Sequence, residues 1–144
     1  MIQMRTQTKR ILIIDPDTEV AEELFSLFSI KDYDVERCQG ITEATQRIKN
    51  VKFDCIIMDV RLPEIKGYEA VPILKTIDPT LEIIITTAEN NKELESRVRE
   101  QDIFYYYIKS FDRKELELAV HNVFQKASKT RKVKNEKSGE DFSN

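Results

Sequence analysis

Two apolar runs of four residues each stop on an aspartate: Ile11-Leu12-Ile13-Ile14 ahead of Asp15, and Cys55-Ile56-Ile57-Met58 ahead of Asp59. Runs this short and this continuous read as strands buried on both faces, the kind that build parallel sheets. Pro63 and Gly67 punctuate the chain after the second run. A third run, Ile83-Ile84-Ile85, ends at Thr86 and Thr87, and Val35 to Cys38 and Phe104 to Ile108 complete five candidate strands.

The segments between them repeat apolar residues at helical spacing. Val20, Leu24, Leu27 and Phe28 form one stripe, and Leu116, Ala119, Val120 and Val123 form another. Ile41, Ala44 and Ile48 give a shorter one, with Thr42 as a candidate N-cap. Over 92–101 only Leu94 and Val98 are apolar, which predicts a helix that is mostly solvated and easily shifted. Pro72 falls about one turn inside the helix expected after Gly67 and predicts a bend there.

Strands alternating with helices through short connections give an α/β, doubly wound, five-stranded parallel sheet with helices on both faces. The strand order 2-1-3-4-5 is carried over from flavodoxin-like domains rather than derived from this chain. In that order strands one and three are neighbours. Asp15 and Asp59 then converge at the carboxyl edge of the sheet, where open α/β folds bind ligands.

At 144 residues and a formal charge of −3, the chain suits one domain over 9–126, with a flexible 1–8 segment and a polar, disordered 127–144 tail. Such a domain buries enough surface to fold without a metal or a disulfide. Cys38 and Cys55 fall in strands and read as buried reduced thiols, and His121 reads as a surface residue. No run approaches the roughly 20 apolar residues of a membrane span and the N-terminus has no signal-peptide core, which points to the cytoplasm and no membrane contact. The slightly acidic balance argues against direct nucleic-acid binding, despite the lysines after Gln125.

Collecting the strand ends brings together Asp15, with Asp17 nearby, Asp59, Thr86 or Thr87, and Lys109. Carboxylates within about 4 Å repel by several kcal/mol at an intermediate dielectric, so the cluster calls for a cation. Lys109 is one, and a hard divalent ion such as Mg2+ is another. A carboxylate, a hydroxyl and an ammonium around one point suit phosphoryl transfer, which needs a nucleophilic oxygen and partners for the equatorial oxygens. Taken singly, any one of these residues reads better as a helix cap or a surface ion pair.

Four pieces, Ile11 to Asp15, Asp59-Val60-Arg61-Leu62-Pro63 with Gly67, Thr87-Ala88, and Tyr106-Tyr107-Ile108-Lys109 followed by Ser110-Phe111, stand in characteristic order and spacing. Together they resemble the receiver domain of response regulators in two-component signalling, over about residues 9 to 126. The resemblance implies that Asp59 accepts a phosphoryl group from a histidine kinase or phosphotransfer protein. It implies Mg2+ held by Asp15, Asp59, the Arg61 backbone carbonyl and, in part, Asp17. Thr87 and Lys109 would contact the phosphoryl oxygens, and Ala88 would leave room for them. Thr87 and Tyr106 would form the switch, Tyr106 following Thr87 inward. The surface over 92–126 would change, meeting a downstream protein partner, an output domain outside this chain, or a second copy as a homodimer.

The match departs in three places. Pro16 stands where receivers carry a second acid, which weakens the expected Mg2+ site, and Asp17 is left either to ligate or to cap the next helix. Ser110 stands where a cis-proline follows the lysine, so the Lys109–Ser110 bond is either trans or strained. Arg61 and Glu89 occupy positions that in receivers tune dephosphorylation, and their opposite charges suit pairing across the entrance.

Two other readings remain at this point. A non-phosphorylated pseudo-receiver would keep the fold as a binding module, with Pro16 as its support. Asp15-Pro16-Asp17-Thr18 also looks like the first motif of haloacid-dehalogenase-type phosphatases, with Asp15 as nucleophile and Asp17 as acid, although that leaves Asp59 unexplained.

Overall fold

The computed structural model describes residues 9–89 and 91–126. The expectations for 1–8 and 127–144 lie outside the described residues. Strands β1 (Arg10–Ile14), β2 (Asp34–Cys38), β3 (Cys55–Asp59), β4 (Glu82–Thr87) and β5 (Tyr105–Ile108) alternate with α1 (Thr18–Ser29), α2 (Ile41–Asn50), α3 (Gly67–Ile77), α4 (Lys92–Arg99) and α5 (113–126). The sheet is parallel throughout and its order is β2-β1-β3-β4-β5, as expected from doubly wound folds.

Alternation along each strand divides the core in two. Leu12, Ile14, Ile56, Met58, Ile83 and Ile85 face α2, α3 and α4 on one side. Ile11, Ile13, Cys55, Ile57, Ile84 and Tyr107 face α1 and α5 on the other, against Leu24, Phe28, Leu116 and Val120. Both faces of β1 and β3 are therefore dry, which is why these strands read as unbroken apolar runs. Cys38 and Cys55 are buried free thiols, burial pushing the first up to about 12 and the second higher still. His121 is exposed. Among the described residues no helix is long and apolar enough to cross a membrane.

The candidate cap at Thr42 is corrected. Gly40 is the N-cap of α2 and has no side chain to offer, so the carboxylate of Glu64 accepts from Ile41 N–H at 3.1 Å and Thr42 N–H at 3.3 Å. A Cβ at residue 40 would sit 2.5 Å from Glu64 Oε1, so the glycine makes room for this carboxylate. Thr42 lies inside the helix, where its side chain cannot cap.

Two features fix the chain after β3. Gly67 donates its N–H to Val60 O at 2.6 Å, and a Cβ there would meet Asp59 O at 2.6 Å. Only glycine lets the start of α3 close so tightly on the end of β3. Pro72 is accommodated within a helix that runs without interruption from Gly67 to Ile77. Helix α4 buries Val98 and half-buries Leu94, leaving most of its surface in solvent.

Candidate functional site

Asp15, Asp59, Thr86 and Thr87 are the buried polar residues of the described chain, and all lie at the carboxyl edge of the sheet. Asp15 follows β1, Asp59 ends β3, and Thr87 ends β4 one residue past Thr86, the register partner of Asp59. Lys109, just beyond β5, reaches back over them. Its ammonium donates to Asp15 Oδ2 at 2.9 Å and to Asp59 Oδ2. Adjacency of β1 and β3 is what allows one cation to serve both acids.

The second oxygen of each carboxylate is held by its own loop. Asp17 N–H donates to Asp15 Oδ1 at 2.8 Å, and Arg61 N–H donates to Asp59 Oδ1 at 2.6 Å. Both are the turn in which an Asp side chain accepts from the backbone two residues on. Burial raises the Asp15 carboxyl above its usual range, against the opposing bonds from Lys109 and Asp17 N–H. Burial alone would lower Lys109, but the bonds to Asp59 and Asp15 outweigh it and the ammonium is held above its ordinary value. The two directions are consistent, because one cation shared by two enclosed anions is itself strongly held.

Asp17 stands apart from this cluster. Its Oδ1 caps α1, accepting from Glu19 N–H at 3.0 Å and Val20 N–H at 3.3 Å. Among the described residues no group of three acids, histidines or cysteines is arranged to hold a metal. Lys109 supplies the positive charge that the crowded carboxylates require.

Around the entrance, Arg61 Nη2 and Glu89 Oε1 form an ion pair between two exposed side chains. The Thr87 hydroxyl donates to Glu89 O at 3.2 Å and accepts from Glu89 N–H at 3.1 Å, so it is engaged with the loop that carries the pair. Ala88, between them, is exposed. Tyr106 is already buried, with the Arg99 guanidinium 5.6 Å from its ring centre. Its hydroxyl and that of Thr86 have no hydrogen-bonding partner among the described residues. Burial, with Glu95 nearby, raises the Tyr106 phenol.

The Lys109–Ser110 bond is trans, no cis bond occurring among the described residues. Sequence reasoning missed what surrounds this turn. Arg113 Nη1 donates to Lys109 O and to the Tyr107 hydroxyl, both at 3.1 Å, and the Tyr107 hydroxyl donates to Phe111 O at 2.7 Å. Glu64 was also missed. Gly40 ahead of a helical stripe was its one available signal.

The family model described as the response regulator receiver domain matches residues 11–121. The regulatory protein AtoC of Escherichia coli K12 is 26% identical over 129 residues, which cover 90% of this chain and 28% of AtoC. The chain thus spans little more than a quarter of that relative. A putative response regulator of Chloroflexus aurantiacus J-10-fl is 31% identical in structure-based comparison, with a TM-score of 0.75 over 81% of this chain and 98% of that one. The signal receiver domain of an HD domain-containing protein of Pseudomonas fluorescens Pf-5 shares the fold at a TM-score of 0.82, with 22% identity over 91% of this chain and 97% of its own.

Proposed function

Because this chain belongs to the response regulator receiver domain family, we propose that Asp59 is a phosphoacceptor, charged by a histidine kinase or phosphotransfer protein. The observation that carries the proposal is the single ammonium of Lys109 bridging two buried carboxylates from adjacent strands. A carboxylate so placed is shielded from repulsion by its neighbour while still sitting at the sheet edge, within reach of an incoming phosphorus.

In the transfer, an Asp59 oxygen attacks the phosphorus of a phosphohistidine. The O–P bond forms as the P–N bond breaks, and the imidazole leaves with a proton from solvent. Lys109 then has a new anion to follow. Its ammonium moves from the Asp59 carboxylate to a phosphoryl oxygen while keeping Asp15, and the Thr87 hydroxyl leaves Glu89 O to donate to another. Exposed Ala88 adds no bulk beside the incoming group.

Two carboxylates and the Arg61 carbonyl are hard oxygen donors that suit Mg2+. When bound, such an ion would neutralise part of the phosphoryl charge. With Asp17 committed to capping α1, the set lacks a third acid and would hold the ion weakly.

Release of Thr87 from the Glu89 backbone would disturb the loop ahead of α4, whose few buried apolar residues make it cheap to shift. Tyr106 is the aromatic that would respond with Thr87, and the change would be read by α4, β5 and α5. A downstream protein, an output domain or a second copy would meet the 92–126 surface. The family acts in signalling rather than as enzymes, and we place this member in the cytoplasm with its kinase.

Labelling with acetyl phosphate in the presence of Mg2+ tests the proposal: wild type takes the label and Asp59→Asn does not. A pseudo-receiver that is never labelled remains the second reading, favoured by Pro16 and the capping role of Asp17. The phosphatase reading loses its general acid to that same cap.

A further inference from the structure

The Lys109 ammonium is useful only where the turn beneath it is fixed. Lys109 N–H is bonded to Thr87 O at 2.7 Å, which secures one side of the turn to β4. The other side, Ser110 and Phe111, is exposed and lacks the rigid ring of a proline. Arg113 closes it. Its Nη1 donates to Lys109 O and to the Tyr107 hydroxyl, which in turn donates to Phe111 O. Its Nε and Nη2 bond both oxygens of Glu23 on α1, at 2.9 and 3.2 Å.

An exposed arginine–glutamate pair is ordinarily a minor surface contact. Two observations set this one apart. Half of the guanidinium's bonds are turned inward, to a carbonyl and to the hydroxyl of a tyrosine that is 1% exposed. The residue also opens α5, where a cation opposes the helix dipole, so the charge is not there to stabilise the helix. Asp112 already provides the cap, accepting from Lys114 N–H at 3.0 Å.

We propose that Arg113, anchored to α1 by Glu23, is a positioning residue that holds the Lys109–Ser110 turn and so places the Lys109 ammonium over Asp15 and Asp59. The planar fork suits this role, because its separate nitrogens reach Glu23 through Nε and Nη2 and the Tyr107 hydroxyl and Lys109 carbonyl through Nη1, whereas a lysine has one nitrogen to do all of it.

The inference deepens the phosphoacceptor reading and rests on it for its functional consequence, but the placement of Lys109 is measurable without phosphorylation. The experiment follows the order of the Lys109 ammonium by NMR relaxation at one fixed pH in the full chain, alongside the rate of labelling by acetyl phosphate. Arg113→Ala should free the Lys109 ammonium to the mobility of an exposed lysine and slow labelling about ten- to a hundredfold. Arg113→Lys should behave like Arg113→Ala, and Glu23→Gln should move both readouts in the same direction by less. A lowered melting temperature with Lys109 order and labelling rate unchanged in Arg113→Ala and Glu23→Gln would overturn the proposal, leaving Arg113 a structural contact. Wild-type protein that takes no label, with the Lys109 ammonium still freed in Arg113→Ala, would sink the phosphoacceptor reading and uphold the positioning role.

Discussion

Lys109 Nζ lies 2.9 Å from Asp15 Oδ2 and bonds Asp59 with the same ammonium, although the two acids come from different strands. The pair of contacts joins the ends of β1, β3 and β5 into one electrostatic unit. The unit, and the contacts around it, can be tested by measurement.

Lys109→Met leaves two buried carboxylates facing each other without a counter-charge. It should cost about 2–4 kcal/mol at pH 7, with much of the loss recovered in the Lys109→Met, Asp15→Asn double variant, read by denaturant melts. The wild-type contribution also has a pH signature. Because the folded state holds Lys109 above its ordinary value of 10.5, that stabilisation is complete below 10.5 and is lost as pH rises through the folded value. Lys109→Met should lack that share of the alkaline loss.

Glu64 caps α2 from the loop that follows Asp59. Slight burial pushes its carboxyl up, but the N–H groups of Ile41 and Thr42 outweigh this and hold it below its ordinary value of 4.5. Its contribution is therefore present above about that value and disappears as pH falls through the folded one. Glu64→Gln should cost about 1 kcal/mol or less at pH 7 and nothing near pH 2, in thermal melts across that range.

Pro16 stands where a further carboxylate would extend the donor set. Pro16→Asp should tighten Mg2+ binding about tenfold or more in a fluorescence or calorimetric titration, since a third carboxylate joins two. Equal affinity in wild type and variant would show that two carboxylates and a carbonyl suffice.

Arg61 and Glu89 pair across the entrance to Asp59. If the pair impedes the attacking water, Arg61→Ala and Glu89→Ala should each shorten the phosphoryl half-life. The effect should be about fivefold at most, because an exposed pair is worth no more than about 1 kcal/mol. Unchanged half-lives would leave the pair a surface contact only.

The five strands and the placing of Asp15, Asp59 and Lys109 at one sheet edge were legible in the sequence for a physical reason, whereas the strand order that makes them meet was carried over from doubly wound folds. Strands dry on both faces are written as unbroken apolar runs, and the residue that ends such a run must lie at the sheet edge. The side-chain links between distant segments were not legible. Gly40 ahead of the α2 stripe signals that a cap must come from elsewhere but not that Glu64 supplies it, and nothing near Lys109 signals that Arg113 and Glu23 brace its turn. β5 alternation places Tyr106 in the core with Ile85 and Ile108, on the face opposite Tyr107.

Acetyl phosphate labelling read by intact mass, followed by peptide mapping, tests the central claim most directly. The account predicts one phosphoryl group on wild type in Mg2+, located at Asp59 and absent from Asp59→Asn. No label on wild type, or a label that survives Asp59→Asn unchanged, would contradict it.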